Sequence, residues 1–207
     1  MAVSAYDENS DQIILNNGSV LEYGEFVETV SPKLGYIFQE YFFPHTVLKE
    51  TCGECLSTVR CNVLLASSDP QMFYAVWKVP TGGNMVDNFA PGERGNLLGM
   101  VNINTGVVER VIGGTDDEMF EYRNHPDTNM PLTGITIPCW PEVVELCLKA
   151  ASSFPHIRMQ HWDVAVRDDG PVLIELNTLG VFDVHQLVGR SGICSGRLEV
   201  YLLELKI

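Results

Sequence analysis

Three oxygen-bearing side chains near the carboxyl end of the chain have the types and spacing of a divalent-metal site. Asp163 lies early in the segment HWDVAVRDDGPVLIELN, residues 161–177, and this segment ends with Glu175 and Asn177. Magnesium takes oxygen ligands and typically uses one or two protein carboxylates, with water and substrate phosphates completing its shell. Asp163, Glu175 and the amide oxygen of Asn177 are therefore candidate Mg²⁺ ligands.

Alternating apolar residues predict that this segment folds as a hairpin with one buried face. The apolar positions are Trp162, Val164 and Val166 on the first strand and Val172, Ile174 and Leu176 on the second. Directly opposed residues of an antiparallel pair point to the same face of a sheet. Burying all six side chains together requires three pairs, 166 with 172, 164 with 174, and 162 with 176. The resulting loop is Asp168-Asp169-Gly170, with glycine at the left-handed third position.

The same register places two carboxylates opposite each other on the other face of the hairpin. It pairs Asp163 with Glu175 and His161 with Asn177. Like charges at directly opposed positions destabilise a sheet, and a divalent cation between them would remove the conflict. A solvated sheet face with two acids explains the pattern equally well, because exposed Asp and Glu are common.

Periodicity along the rest of the chain predicts a mainly antiparallel sheet with few helices. The predicted strands are 35–43, 57–66, 72–79, 97–103 and 107–113, of which the last four form two hairpins. The predicted helices are 22–31 and 141–154, and the acidic segment 113–131 is predicted to be an exposed loop. The fold class predicted from these elements is α+β.

Composition excludes several classes of function. A chain of 207 residues with a formal net charge of −14 and 45% hydrophobic residues is long enough to bury a core. The negative charge argues against general binding to nucleic acid or to anionic membranes. No basic leader or apolar run of membrane-spanning length is present, and we expect a cytoplasmic protein.

The six cysteines are expected to be reduced thiols rather than disulfides or metal ligands. Cys52-Gly-Glu-Cys55, followed by Cys61, resembles half of a zinc site. A structural zinc site needs four ligands, and no second pair with suitable spacing is found in the sequence. Free thiols are therefore the favoured interpretation.

An Asp followed by Glu-x-Asn at the end of the next strand resembles the metal-binding signature of ATP-grasp ligases. WDVAVRDDGPVLIELN, with HPDTNMPLTGITIP, VDNFAPGERG and TVRCNVLL upstream, resembles more closely the sugar-transfer-associated ATP-grasp family, over most of residues 30–190. The resemblance implies an ATP-grasp-like fold, a mostly antiparallel sheet with hairpins and packed helices. It also implies ATP and Mg²⁺ as cofactors, and a carboxylate activated as an acyl phosphate for attack by an amine or similar nucleophile. The family name suggests surface-polysaccharide modification.

The resemblance also implies roles for individual residues. It assigns Asp163, Glu175 and Asn177 as ligands of the metal ions that bridge the nucleotide phosphates. It assigns a hinge that contacts adenine and ribose to Gln39, Glu40, Tyr41 and Phe42.

Further positions that match the family carry cations or lie in its active-site loop. Arg60 and Lys78 would direct positive charge to the phosphates, although a strand arginine is often only a surface residue. The loop that holds Asp87, Asn88, Gly92 and Arg94 resembles the family's glycine-rich active-site loop, where a simple surface turn would also explain the glycines. His161 would contact a phosphate, against the alternative of a structural histidine beside the sheet. His125 would shape the acceptor side.

The resemblance further predicts a single partial ATP-grasp domain over residues 1–207. In it, residues 1–45 are the remainder of the nucleotide-binding lobe and hinge, and residues 46–207 are the metal and phosphate lobe. The family's upstream lysines and glycine-rich lid loop have no counterpart here, since neither Lys33 nor Lys49 stands in such a context. We therefore expect ATP turnover to require an upstream part, and a homo-oligomer is possible.

Two other functions stay open on the sequence. The first is a non-catalytic relic of the fold that binds nucleotide or metal, or that serves as a protein-interaction surface. The second is a hydrolase in which Asp163 and Glu175 form an acid/base pair, as closely spaced carboxylates do in retaining glycosidases. The adjoining amide and the lack of an arguable aromatic sugar cleft weigh against the hydrolase.

Overall fold

The computed structural model describes residues 3–15, 17–30, 40–65, 69–89, 95–115, 118–180, 182–194 and 196–205. The chain divides into two compact units, Met1–Phe42 and Phe43–Ile207. The predicted assignment of residues 1–45 to a nucleotide-binding lobe stays a prediction.

The amino-terminal unit contains a small sheet and one helix. Strands β1 (Val3–Asp7), β2 (Gln12–Leu15) and β3 (Val20–Glu22) form an antiparallel sheet in that order, followed by α1 (Tyr23–Thr29). The helix predicted over 22–31 is thereby confirmed. Most of the strand predicted over 35–43 lies outside the described residues, and residues 40–43 belong to no strand.

The larger unit is built on a seven-stranded antiparallel sheet with the order β10-β9-β4-β5-β6-β7-β8. Its strands are β4 (Thr58–Leu65), β5 (Pro70–Val79), β6 (Leu97–Val101), β7 (Val108–Thr115), β8 (Glu118–Glu121), β9 (Met159–Arg167) and β10 (Gly170–Asn177). Its helices are α2 (Thr46–Cys52), α3 (Trp140–Ser152), α4 (Asp183–Gly189) and α5 (Gly196–Glu204). The predicted hairpins of β4 with β5 and β6 with β7 are confirmed. The α+β class is confirmed as well.

Helices pack on both faces of this sheet. Helix α3 contacts β4, β5, β9 and β10, whereas α4 contacts β5, β6 and β7. The helix predicted over 141–154 is confirmed as α3, and its side chains Trp140, Val143, Cys147 and Ala151 are buried at helical spacing. The cluster under α3 is wholly apolar and includes Cys61, Val63, Trp77, Trp162 and Val164.

The prediction of an exposed loop over 113–131 is wrong in part. The edge strand β8, Glu118–Glu121, lies within it and pairs with β7, with Gly113 opposite Phe120. An edge strand is paired on one side only and tolerates the exposed acids that suggested a loop. No helix in the described part of the chain is long and apolar enough to cross a membrane.

Candidate functional site

The hairpin of β9 and β10 has the predicted pairing where the candidate ligands lie. Asp163 pairs with Glu175, Trp162 with Leu176 and His161 with Asn177. The two acids are therefore direct cross-strand neighbours on one face of the sheet. This part of the predicted register is confirmed.

Nearer the turn the predicted register is wrong. Pro171 pairs with Val166, Val172 with Ala165 and Leu173 with Val164, and a bulge separates Leu173 from Glu175. Leu173, rather than Val172 or Ile174, therefore packs against the apolar cluster under α3. The extra residue of a bulge changes which side chains face the core.

The turn that causes this shift is held by the start of α2. Arg167 pairs with Gly170, so the turn is two residues long, and Gly170 has a φ of +122°. The Asp168 carboxylate accepts hydrogen bonds from Thr46 N at 2.8 Å and from Thr46 Oγ1 at 2.9 Å. The turn is therefore one residue shorter than the three-residue loop that the strand pattern predicts, and Asp168 binds the start of α2.

Asp163 lies at the centre of a buried cluster of charged side chains. Arg60 donates from Nε to Asp163 Oδ1 and from Nη2 to Asp163 Oδ2, both at 2.8 Å. Lys78 Nζ lies 2.9 Å from Asp163 Oδ2 and 3.1 Å from Asp87 Oδ1. Two cations and two carboxylates thus form one connected network.

Strand alternation brings these residues to one face. Arg60 is paired directly with Asp163 across β4 and β9, and Lys78 is paired with Thr58 across β5 and β4. Residues two apart on a strand share a face, so Thr58 and Arg60 point the same way. The central position of β4 in the sheet brings the β5 lysine and the β9 aspartate to the same cluster.

Burial makes the pairing of this cluster strong. The side chains of Asp163 and Lys78 are 2% and 7% exposed, and that of Arg60 is 14% exposed. Burial by itself raises the pKa of Asp163, but the hydrogen bonds and charge of Arg60, with the charge of Lys78, outweigh it and hold that pKa below its usual value. Burial opposes the charged form of Arg60, yet its bonds to Asp163 raise its pKa. Asp163 is therefore a carboxylate and not a general acid.

Asp87 is fixed in the cluster by the first residue of β4. Its Oδ2 accepts hydrogen bonds from Thr58 N at 2.7 Å and from Thr58 Oγ1 at 2.6 Å. Its Oδ1 faces Lys78, as described above. Asp87 belongs to the loop 80–89, and the fully buried Asn96 holds that loop with hydrogen bonds to Thr81, Asn84, Val86 and Asn88.

Glu175 and Asn177 lie on the same face but at the open edge strand. Glu175 is exposed and Asn177 is half-buried. Asn177 Nδ2 donates to Glu175 Oε1 at 3.0 Å. The side-chain carbonyl oxygen of Asn177 is therefore available as an acceptor near the carboxylates of Asp163 and Glu175.

This donor set fits a hard divalent cation such as Mg²⁺. Asp163 Oδ1 accepts one bond from Arg60, and a carboxylate oxygen has two lone-pair positions, so one position is left for a metal. Glu175 and the Asn177 carbonyl supply two further oxygens of the kind that Mg²⁺ takes. No group of three or more His, Cys, Asp or Glu side chains suited to a metal occurs among the described residues. The candidate site is smaller, with two acids and one amide.

His161 is a buried member of a polar and aromatic cluster behind this site. Its Nε2 lies 3.0 Å from Asn62 Nδ2 and its Nδ1 lies 3.1 Å from the Tyr74 hydroxyl. Burial, with the nearby charge of Arg60, lowers the pKa of His161 to about 4. The histidine is therefore neutral at neutral pH. Gly180 packs so closely on the imidazole ring that a Cβ there would overlap it.

The ring of Tyr74 links His161 to α4. Tyr74 stacks on His185 with 4.2 Å between ring centroids, and Phe182 meets both Tyr74 and His161 edge-on. Burial raises the pKa of Tyr74 and lowers that of His185. The segment that follows Asn177 is thus held on the sheet by aromatic contacts.

Further residues assigned by the resemblance are those of the predicted hinge and Arg94. Gln39 and Arg94 lie outside the described residues. Glu40 and Tyr41 are exposed, and Phe42 is half-buried. These three belong to the amino-terminal unit, and their role in nucleotide binding stays a prediction.

Asn88 and His125 take part in the structure of the loop 80–89. The side chain of Asn88 is exposed, and its carbonyl oxygen accepts from Asn96 Nδ2 at 2.9 Å. His125 is buried, and its Nδ1 accepts hydrogen bonds from the backbone of Asp127 and Thr128. The Nε2–H of His125 therefore donates to Pro80 O at 2.8 Å. Asp127 in turn accepts from Gly82 N, so this block ties down the loop start.

Sequence reasoning missed three members of the polar face, Thr58, Asn62 and Tyr74, and it named Asp87 only as a residue of the glycine-rich loop. Tyr74 and Lys78 are four positions apart on β5, and an even spacing along a strand places both side chains on one face. Thr58 and Asn62 are each two positions from Arg60 on β4, so they share its face. The signal was therefore present in strand alternation, but its use requires knowing that β4 lies between β5 and β9.

All six cysteines are free thiols, as expected, and none is disulfide-bonded.

Comparison with known proteins gives one match. The family model for sugar-transfer-associated ATP-grasp proteins matches residues 20–200, which include all of the candidate site residues. Neither the search of curated proteins nor the search of solved structures gave a match. Since this match spans nearly the whole chain, the chain belongs to the sugar-transfer-associated ATP-grasp family.

Proposed function

We propose that this chain supplies the metal- and phosphate-binding part of an ATP-dependent carboxylate ligase. One observation carries the proposal: the cations Arg60 and Lys78 converge on Asp163, which lies directly opposite the exposed Glu175, and Glu175 in turn contacts Asn177. Phosphate groups need cations, and a bridging metal needs carboxylate and amide oxygens. The ATP-grasp family generally uses ATP and Mg²⁺, which agrees with this combination.

In the proposed reaction a substrate carboxylate oxygen attacks the γ-phosphorus of ATP. An oxygen–phosphorus bond forms, the bond between the γ-phosphorus and the bridging oxygen breaks, and ADP leaves. An amine or similar nucleophile then attacks the acyl carbon and releases inorganic phosphate. No covalent bond to the protein is needed, so the protein acts by positioning and by electrostatic stabilisation.

The side chains have distinct tasks in this scheme. Asp163, Glu175 and Asn177 would hold Mg²⁺, which when bound neutralises charge on the transferring phosphoryl group. Arg60 is suited to phosphate oxygens because its guanidinium donates two parallel hydrogen bonds, as it does now to Asp163. Lys78 adds a second positive charge. His161, being neutral and held by Asn62 and Tyr74, positions the segment after Asn177 and carries no charge to a phosphate.

The proposal extends to a sugar-bearing substrate in surface-polysaccharide modification in the cytoplasm, and the association of the family with sugar transfer supports the sugar. Within the proposal, the carboxylate and the amine are small or sugar-linked molecules. A panel of sugar acids and amino sugars is therefore the rational first choice of substrates.

Release of ADP in the presence of Mg-ATP and a carboxylate, by a protein that includes any upstream part, is the decisive measurement. Glu175→Ala is expected to abolish release, because a metal ligand is lost. Glu54→Ala is the matched control, since Glu54 is an exposed acid that pairs only with Lys49 on the surface. Turnover that is unchanged in Glu175→Ala would refute the role assigned to Glu175.

A second candidate is a module that binds Mg-ATP without turning it over. It is favoured by the pairing of Asp163, whose charge is already balanced by Arg60 and Lys78 without any ligand. Calorimetry with ATP and MgCl₂ separates the candidates when it is combined with the ADP assay. Binding without carboxylate-dependent ADP release supports the module, and no binding removes both.

A further inference from the structure

We propose that the site takes up a divalent cation and a phosphate group together, because Arg60 and Lys78 shield Asp163 from free metal until phosphate oxygens attract these two cations. The inference rests on the proposed function and adds a rule for ligand uptake at the same site. Its basis is the geometry of four buried or nearly buried charged side chains.

Asp163 is nearly saturated by its own protein. Its Oδ2 accepts from Arg60 at 2.8 Å and from Lys78 at 2.9 Å, and its Oδ1 accepts from Arg60 at 2.8 Å. Three of about four lone-pair positions are therefore in use. A metal at the remaining position would lie beside two positive charges.

The charge balance of the cluster opposes a free divalent cation. Arg60 and Lys78 balance Asp163 and Asp87, so these four groups are formally neutral. Glu175 adds one negative charge at the exposed edge. A divalent cation alone would leave an excess positive charge at a site where Asp163 is 2% exposed, and charge repulsion is strong in a buried environment. Phosphate oxygens that arrive with the metal restore the balance.

Asp87 explains how Lys78 can release Asp163. Lys78 Nζ is shared between Asp163 and Asp87, at 2.9 Å and 3.1 Å. Asp87 is held independently by two hydrogen bonds from Thr58. When a phosphate draws Lys78 from Asp163, the ammonium group keeps Asp87 as a partner. A buried cation without any partner would be strongly unfavourable, and Asp87 prevents this state.

The rule predicts effects of opposite sign on two ligands. Lys78→Gln removes one shielding charge and keeps a hydrogen-bond donor, so free metal should bind more tightly, while Mg-ATP should bind more weakly because a phosphate cation is lost. Asp87→Asn keeps Lys78 but removes its second partner. It should weaken the binding of both free metal and Mg-ATP.

The experiment uses Mn²⁺ as the probe for Mg²⁺, with the full chain. Electron paramagnetic resonance measures free Mn²⁺ during titration of the wild type, Lys78→Gln, Asp87→Asn and the surface control Lys49→Gln. Calorimetry measures Mg-ATP binding to the same four proteins. We expect Lys78→Gln to bind Mn²⁺ about 5–150-fold more tightly than the wild type, the usual range of coupling between sites. Lys49→Gln should match the wild type in both measurements.

The outcomes are distinct for the two proposals. Equal Mn²⁺ affinity of the wild type and Lys78→Gln, or a weaker affinity in the variant, overturns the shielding of Asp163. Absence of Mg-ATP binding to the wild type overturns the proposed function, and the Mn²⁺ comparison still tests the shielding. Circular dichroism checks that each variant is folded. If Lys78→Gln does not fold, Asp87→Asn decides the matter, since Mn²⁺ binding as tight as in the wild type would contradict the inference.

Discussion

The seven-stranded sheet carries α3 on one face and α4 on the other, and the two faces are filled very differently. Under α3 the cluster is apolar, with Val59, Cys61, Trp77 and Val164 among its members. The opposite face has its own apolar cluster, which includes Val76, Leu98 and Val188, and beside it lie the charges of Arg60, Lys78 and Asp163. Apolar packing tolerates rearrangement, whereas buried charges require specific partners. Both faces therefore support the fold, and the face that carries α4 also holds the charged groups to which the proposed chemistry is assigned.

The largest expected effect of a single substitution is on the charged face. Asp163→Asn removes the common partner of Arg60 and Lys78 and leaves buried positive charge uncompensated. We expect a loss of about 3–5 kcal/mol in the free energy of unfolding, measured by urea denaturation. Glu54→Gln, which breaks only a surface ion pair, is the control and should change stability by less than about 1 kcal/mol. A loss for Asp163→Asn as small as the control's would mean that the buried ion pairs contribute no more to the free energy of unfolding than a surface ion pair.

Strand alternation was sufficient to predict the division between the two faces, but not their contents. The pattern Trp162, Val164, Val166 predicted the apolar face of β9, and the cross-strand pair of Asp163 with Glu175 followed from it. The bulge after Leu173 was not predicted, because strand alternation assumes an unbroken register and contains no signal for an extra residue.

The partners of Asp163 were hidden for a related reason. Arg60 and Lys78 were identified as candidate cations for phosphate, yet their contacts with Asp163 follow only from the sheet order β9-β4-β5. A hairpin pattern specifies neighbours within the hairpin and not between hairpins. Asp87 was assigned to the glycine-rich loop by the resemblance, but its pairing with Lys78 was not predicted, because a loop residue has no periodicity from which its burial can be inferred.

Between about pH 4 and pH 7 the charged face should also respond to pH, because it carries His161 and His185. The folded state keeps His161 neutral down to about pH 4, whereas the unfolded chain takes up a proton near the ordinary pKa of 6.5. The unfolded state therefore binds more protons between these values, and stability falls as the pH falls from about 6.5 to about 4. The lowered pKa of His185 changes stability in the same direction. The lowered pKa of Asp163 also makes stability fall with falling pH, but only below its ordinary pKa of 3.8.

Removing His161 tests its share of this slope. We expect a loss of about 2–3 kcal/mol for the wild type over the interval, measured by urea denaturation at several pH values. His161→Asn should flatten the slope, and His156→Asn, at an exposed histidine, should retain it. An unchanged slope in His161→Asn would mean that His161 is not the source of this dependence of stability on pH.

The contact between Gly180 and His161 tests how tightly the charged face is packed. A Cβ at position 180 would overlap the imidazole ring, so Gly180→Ala should destabilise the protein by about 1–3 kcal/mol. Gly192→Ala is the control, since the nearest atom to its Cβ would be 3.9 Å away. In a double-mutant cycle, His161→Ala should relieve the clash and make the effects of the two substitutions non-additive. Additive losses would show that the backbone after Asn177 does not depend on the histidine.

The smallest effect on stability is expected at Glu175, although it is the direct neighbour of Asp163. Glu175 is exposed and its described contact is the amide of Asn177, so Glu175→Gln should change the free energy of unfolding by no more than about 0.5 kcal/mol. Its carboxylate is nevertheless a candidate metal ligand, so Mn²⁺ affinity should fall in the same variant. Thermal denaturation and Mn²⁺ titration on one sample separate the two roles. A loss of stability comparable to that of Asp163→Asn would contradict the contrast, because both acids would then serve the fold.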